Sequence, residues 1–410
     1  MTRLVLAGAG HAHAQVLKAW AAAPLAGVDL CLVSPSPLAP YSGRVPGWLA
    51  GRWAVEQIGI DFTALARAAG ARFVLDEIDR LDAAQQRLHL HSGAVLGYDL
   101  LSLNVGSTLT APTVANTRVL ALRPLGHLQH AWDAVLAELD AAADVDAELA
   151  PLGLLAPLGP RSAALRASAA GLRVTAVGGG AAGAETLLAV LAHLRRRLPQ
   201  RAVHGTLVSR SAALLPGLAP GAARAMGAAL TRAGVTQHLG TEFDAPQVGR
   251  ADLLLWATGA EAHAWQRSSG LAVSGDGFVR IDPQLRSLSH PNVYAVGDCA
   301  AWAPALPKSG VHAVRMGPVL AQNLRAALGV GLAVAHAPQR RTLALLATAD
   351  GGAVASYGRF CAQGRWVGRW KDHLDQQFLD RMRAPDVPAA MPASLPPPTP
   401  STPSPKGDSA

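Results

Sequence analysis

Leu172-Arg173-Val174-Thr175-Ala176-Val177-Gly178-Gly179-Gly180-Ala181-Ala182-Gly183-Ala184-Glu185 is the stretch on which the fold turns. A short apolar run to Val177 predicts a buried strand, and the Ala/Leu-rich run Ala181 to Leu194 predicts a helix. Between them, Gly178, Gly180 and Gly183 stand in G-x-G-x-x-G register, in the strand–turn–helix context that such a motif requires. The first glycine permits a tight turn, the second lets the backbone approach a pyrophosphate at the positive helix N-terminus, and the third lets helix and strand pack closely. The next strand, Gly205–Ser209, runs into Arg210 with no carboxylate for a ribose 2′-hydroxyl. Arg210 therefore reads either as tolerance of a 2′-phosphate, hence NADPH, or as a solvated surface arginine.

The same grammar stands at the N-terminus. Arg3 to Ala7 reads as strand, Gly8 to Gly10 as turn, Ala12 to Ala22 as helix and Val28 to Ser34 as strand. Here the motif is Gly8-Ala9-Gly10-His11-Ala12-His13, with His13 where a third glycine would sit, and Val33-Ser34-Pro35 replaces the acidic residue expected on a ribose. Two copies of one βαβ unit, about 170 positions apart, argue for an α/β chain with two Rossmann-like, three-layer dinucleotide-binding domains and parallel sheets.

Composition agrees. With 410 residues, half of them hydrophobic, the chain can bury more than one core. The net charge of +8 suits anionic ligands such as dinucleotides, or an anionic membrane face. Nucleic acid is not expected, because only Arg195-Arg196-Arg197 forms a dense basic run and no aromatics interleave with it. Cys31, Cys299 and Cys361 lie far apart, excluding a CxxC pair or zinc set and fitting a reducing cytoplasm. No leader precedes the first strand, and no uncharged apolar run approaches 18 residues, so neither secretion nor a spanning helix is expected. His89 and His91 alternate with Leu88 and Leu90 and should face water; no metal is expected.

Leu254-Leu255-Trp256-Ala257-Thr258-Gly259-Ala260 reads as a buried strand ending in Ala-Thr-Gly, and Asn292-Val293-Tyr294-Ala295-Val296-Gly297-Asp298-Cys299-Ala300 as a strand ending in Gly-Asp. In this order, with both glycine turns, the chain resembles the pyridine nucleotide-disulfide oxidoreductase superfamily. It lacks vicinal cysteines and looks more like the type II NADH:quinone dehydrogenases than the sulfide:quinone oxidoreductases, which need catalytic cysteines. Gly8 to Leu17, Pro40-Tyr41-Ser42-Gly43, Pro307-Lys308-Ser309-Gly310-Val311 and Trp370-Lys371-Asp372 carry a closer resemblance, over roughly residues 3–383, to FAD-dependent oxidoreductases fused to or encoded beside selenide, water dikinase. His13 is the usual residue in that group.

The resemblance implies FAD on the first unit and NAD(P)H on the second. It implies that Asp298, after Gly297, hydrogen-bonds the FAD ribitol, and that Gly8, Gly10, His11, His13 and Ser34 line the first cradle. Gly178, Gly180, Gly183, Glu185, Arg210 and Gly259 would line the second. Asn104-Val105-Gly106-Ser107 resembles another turn near FAD, so Gly106 joins the set, and Tyr41 and Ser42 lie on a loop expected beside the ring. A positive field near the flavin is expected from the start of the helix Gly310–Leu328 and from Lys308, which reads equally as a solvated lysine. Tyr41 reads equally as a core tyrosine.

Trp366, Trp370, Leu374 and Phe378 recur every four positions, predicting one helical face over 366–383. Its partner is the FAD domain, a second copy in a homodimer, or the inner face of a membrane. The expected organisation is an FAD domain over 1–113 and 261–335, an NAD(P) domain over 114–260 with an insertion loop near 144–170, a C-terminal segment over 336–383 and a disordered Pro-rich tail over 384–410. The expected activity is hydride transfer from NAD(P)H to FAD and onward to a small acceptor, a quinone. The alternatives are oxidation of a sulfur or selenium species, or a non-catalytic flavin-binding redox sensor.

Overall fold

The computed structural model describes residues 1–149, 171–244 and 248–385. Two five-stranded sheets, parallel throughout, organise it. The first is ordered Val293–Ala295, Leu100–Leu103, Thr2–Ala7, Val28–Ser34, Arg72–Leu75, with Leu4 opposite both Leu30 and Leu100. The second is ordered Arg118–Ala121, Leu253–Trp256, Leu172–Val177, Val203–Ser209, Val235–Leu239, with Val174 opposite Leu253 and Gly205. Parallel strands are covered on both faces, which explains why they read as continuous apolar runs. Leu4, Leu6, Leu32, Leu101 and Val293 are fully buried or nearly so in one core, and Leu172, Val174, Leu207 and Leu255 in another.

Strand order puts both glycine turns at the carboxyl ends of central strands. The helix His11–Ala22 follows the first and packs against Gly310–Ala327; Ala181–Arg197 follows the second. The antiparallel sheet Ile78–Asp82, Arg87–Leu90, Val95–Gly97 carries His89 half-exposed and His91 exposed, with Leu88 and Leu90 buried. No group of three or more metal-binding side chains occurs among the described residues.

A C-terminal unit, the antiparallel strands Leu343–Ala347, Ala353–Tyr357 and Phe360–Gly364 followed by the helix Arg365–Met382, ties the two halves together. Leu346 and Val354 enter the core of the second sheet, while Leu379 and Met382 enter that of the first. Each such buried side chain contributes about 1.5–3 kcal/mol.

Two expectations need correction. The helix Leu125–Leu149 runs through the start of the loop expected near 144–170, because residues 141–149 hold no Gly or Pro to break it. The rest of that loop, and the tail beyond Pro385, lie outside the described residues. The C-terminal helix does pack inward, but with a face one residue round from the aromatic stripe: Val367, Lys371, Asp375, Leu379 and Met382 are buried, while Trp366 and Trp370 are exposed. Apolar pattern reading missed this face because its centre is an ion pair, Lys371 to Asp375 at 2.7 Å with both side chains under a tenth exposed.

Candidate functional site

The first turn is cross-braced. Gly8 has φ +98°, and a Cβ there would meet the Asn104 carbonyl oxygen at 2.6 Å, so neither conformation nor space admits a side chain. The Asn104 side chain fills the space beside Gly10: its Oδ1 accepts from the Ala12 and His13 amides (3.1 and 3.3 Å), and its Nδ2 donates to the Val296 carbonyl (3.1 Å). One asparagine thus joins the glycine turn, the strand Leu100–Leu103 and the segment leading to Asp298. His13 is fully buried, with Nδ1 2.6 Å from the Gly8 carbonyl and Nε2 2.8 Å from Ser102 Oγ. A carbonyl only accepts, so Nδ1 carries the proton and Ser102 donates to Nε2. The ring is neutral, and burial lowers its pKa to about 4. His13 therefore braces the cradle from behind rather than facing it.

The helix beginning at His11 has no side-chain cap from Gly10 and no acid in its first turn; Asn104 takes two of its first-turn amides, and no carboxylate there offsets its positive end. His11 stands there with its pKa lowered to about 4 by burial, and its Nε2 is buried with no hydrogen-bond partner among the described residues. Asp298 follows Gly297 and pairs with Arg123 Nη1, which also reaches Ser107 Oγ. Gly106 and Ser107 thus lie at the same turn cluster. Ser34 is buried, and its hydroxyl closes a local turn onto Ser36. Ser42 lies against Gly310, the first residue of the helix Gly310–Ala327, which Ser309 caps through the Val311 amide.

Lys308, expected to add a positive charge near the flavin, is half-buried. Its ammonium donates to the Ala300 carbonyl at 2.6 Å and stands 3.6 Å from the centre of the Phe278 ring, with its pKa lowered by burial. Cys299 is buried, its thiol donates to the Val296 and Leu103 carbonyls, and burial pushes its pKa to about 11, as suits a packing residue.

In the second turn Gly178 has φ +126°, and a Cβ on Gly183 would lie 2.0 Å from the Gly178 carbonyl oxygen. The helix from Ala181 is again uncapped, and Gly180 and Gly259 face open space. Arg210 is exposed at the end of the next strand. Glu185, expected beside the nucleotide, accepts through its carboxylate from the Ala347 amide (2.6 Å) of the C-terminal hairpin. Burial raises its pKa to about 7, partly offset by Lys371.

Loop Tyr41–Arg44, the start of Ala181–Arg197 and the C-terminal helix converge. Tyr41 and Phe378 rings lie 4.5 Å apart with His11 beside both. Burial and the neighbouring Asp375 raise the Tyr41 phenol well above its ordinary pKa, so it stays protonated. Lys371 donates to the Gly43 carbonyl (2.5 Å) and to Asp375. Asn104, Arg123, Arg44, Lys371 and Asp375 were not assigned roles from sequence. Asn104 and Arg44 belonged to recognised turn segments and Lys371 to Trp370-Lys371-Asp372, whereas Arg123 and Asp375 carried no signal of their own.

Two helix starts with no acid in the first turn, the buried His11 Nε2 with no partner among the described residues and the close backbone approach at both turns fit the pyrophosphates of two dinucleotides. The model of the pyridine nucleotide-disulphide oxidoreductase family matches residues 2–317. The chain belongs to that family. FAD and NAD(P)H are the family's cofactors, and this oxidoreductase is an FAD-dependent pyridine nucleotide enzyme. No curated protein sequence matches it. Among solved structures the oxidoreductase is similar to the sulfide:quinone oxidoreductase of Aquifex aeolicus (TM-score 0.69, 14% identity, 93% of this chain and 92% of that one). It is also similar to NDH2 of Plasmodium falciparum in complex with NADH (0.73, 12%, 92% and 94%). A third similar structure is the NAD-dependent persulfide reductase of A. fulgidus (0.65, 15%, 90% and 66%).

Proposed function

We propose that this oxidoreductase oxidises NAD(P)H and passes the electrons to a quinone. The observation that carries the reading is the meeting of both dinucleotide cradles with one C-terminal unit, through Tyr41–Phe378 on the first side and Glu185–Ala347 on the second. FAD, when bound, would supply the relay between a hydride donor and the second substrate. The chain's own part is position, field and protons. The helix start at His11 would hold the FAD pyrophosphate, and Asp298, oriented by Arg123, would accept from the ribitol hydroxyls. The uncapped helix at Ala181 holds the nicotinamide dinucleotide, with exposed Arg210 able to receive a 2′-phosphate. Tyr41 and Phe378 exclude water. Glu185, with a pKa of about 7, holds and releases a proton near working pH, and Lys371 beside it stabilises the released form.

A quinone is lipid-borne, and the C-terminal unit offers a matching face. Phe360 (68%) and Trp366 (54%) are exposed with Tyr357 and Trp370, and Arg359, Arg365 and Arg369 are exposed among them. Aromatic side chains with basic neighbours suit peripheral contact with an anionic membrane. No helix among the described residues is long and apolar enough to cross a membrane. The reading of a thiol-dependent sulfur or selenium oxidation draws no support from the cysteines: Cys31 and Cys299 are buried, and exposed Cys361 has a raised pKa.

The test is the visible spectrum under anaerobic titration with NADH, then NADPH, followed by a soluble quinone. Bleaching by one nucleotide and recovery on quinone addition is the expected result. Persistent flavin bands would overturn NAD(P)H as donor, and bleaching without recovery would overturn quinone as acceptor.

A further inference from the structure

Beside the loop Tyr41–Arg44 lies a small cavity, about 20 Å³, lined by Arg44, Arg52, Trp53, Gly352, Lys371 and the two carboxylates Asp372 and Asp375. Its volume is roughly that of one water-sized occupant. Three cations and two carboxylates line it, and Glu185 lies within electrostatic reach of Lys371 through the lining residue Ala347. Asp375 is taken by Lys371 (2.7 Å) and Asp372 by Arg52 (2.8 Å). That leaves Arg44, only 4% exposed, with no ion pair among the described residues. Its guanidinium lies 4.4 Å from the Trp53 ring centre, Nη2 donates to the Asp372 backbone carbonyl (3.2 Å), and Nε is buried with no partner. A buried guanidinium without a counter-charge is costly unless something supplies one, and an unsatisfied buried donor marks where a water or ion belongs.

We infer that this cavity is a site for a compact monovalent anion, held by Arg44 against Trp53 and flanked by Arg52 and Lys371. The occupant must be small, because the space is about 20 Å³ and four glycines, Gly43, Gly47, Gly352 and Gly368, line it. It must be an anion, because the carboxylates already have partners and the donor left over is cationic. Its place joins the loop Tyr41–Arg44 to the hairpin and helix of the C-terminal unit, so an occupant clamps the elements that close the proposed acceptor side. The inference does not depend on which acceptor is used.

Bromide is the probe. Thermal melting of the holoenzyme is measured in sodium bromide against sodium gluconate at equal ionic strength, since gluconate is monovalent but too large to enter. A saturable rise of a few degrees with bromide alone is expected, together with an anomalous-scattering peak within hydrogen-bond distance of Arg44 in bromide-soaked crystals. R44Q should lose the bromide response, R44K should keep a weaker one, and R52Q, whose partner is half-exposed, should keep most of it. Equal responses to bromide and gluconate, bromide found only on the outer surface, or a full response in folded R44Q would overturn the site and leave water as the occupant. The nucleotide titration described above reads flavin colour, so failure of either claim is seen separately.

Discussion

The two glycine turns of this oxidoreductase solve one packing problem in two ways. In each, a helix must pass close to the carbonyl of the first glycine. In the second turn the contact is made by bare Gly183, whose missing Cβ leaves room for the Gly178 carbonyl. In the first, the equivalent Gly8 carbonyl is held by the ring of His13. The neighbours differ too. Asn104 reaches into the first turn and satisfies two helix amides, whereas Ala257, which stands against Gly178 as Asn104 stands against Gly8, has no side chain to do so. A turn braced by directed hydrogen bonds suits a resident cofactor, and an open one suits a nucleotide that exchanges. The difference teaches that a broken motif can be a substituted interaction rather than a lost one.

The comparison can be broken experimentally. The largest effect is expected from G183V, which drives a side chain into backbone that cannot yield; a loss of at least about 3 kcal/mol in urea unfolding is expected, with flavin retained but no longer bleached by NAD(P)H. Near-normal bleaching would mean that the second turn does not depend on bare approach.

H13G, which rewrites the first turn in the grammar of the second, should cost about 2–3 kcal/mol, because the Gly8 carbonyl and Ser102 hydroxyl lose their partner and a cavity opens. The purified variant should also carry less FAD. The wild type should respond to acid through the same residue. His13 has a folded pKa of about 4, below its unfolded value of 6.5, so the unfolded chain binds the extra proton and stability rises with pH across that window. The contribution is complete above pH 6.5 and is lost as pH falls toward 4, by about 2 kcal/mol at pH 5. His11, also lowered to about 4, adds a slope of the same sign, so the measured quantity is the difference between wild type and H13G. Parallel pH profiles for the two proteins would remove His13 from the account.

The smallest effect is expected at the open turn's rim. R210A should weaken NADPH relative to NADH by about tenfold or less, since an exposed arginine is worth about 1 kcal/mol or below, read from the concentrations needed for half-bleaching. An unchanged ratio returns Arg210 to the solvated surface.

Much of the fold is legible in consecutive residues. The strands Val28–Ser34, Leu100–Leu103 and Leu172–Val177 fall where the apolar runs placed them, because a strand buried on both faces is apolar along most of its length. The positive-φ turns announce themselves by glycine, and the Gly-Asp and Ala-Thr-Gly segments carry the family. These are local signals, each complete within about ten positions of chain.

Tertiary structure decided what depends on distant residues meeting. Asn104 braces Ala12 and His13 from about 90 positions away, Arg123 reaches Asp298 across 175, and Glu185 meets Ala347 across 162. The C-terminal helix buries Lys371 and Asp375 instead of its tryptophans because Gly43, more than 300 positions earlier, offers a carbonyl to that lysine. Periodicity ranks a charged side chain as exposed, and only the folded chain can supply the partner that makes its burial affordable in free energy. Sequence alone determined that this protein would cradle two dinucleotides; the packing of its C-terminal unit decided which charges stand where the cradles meet.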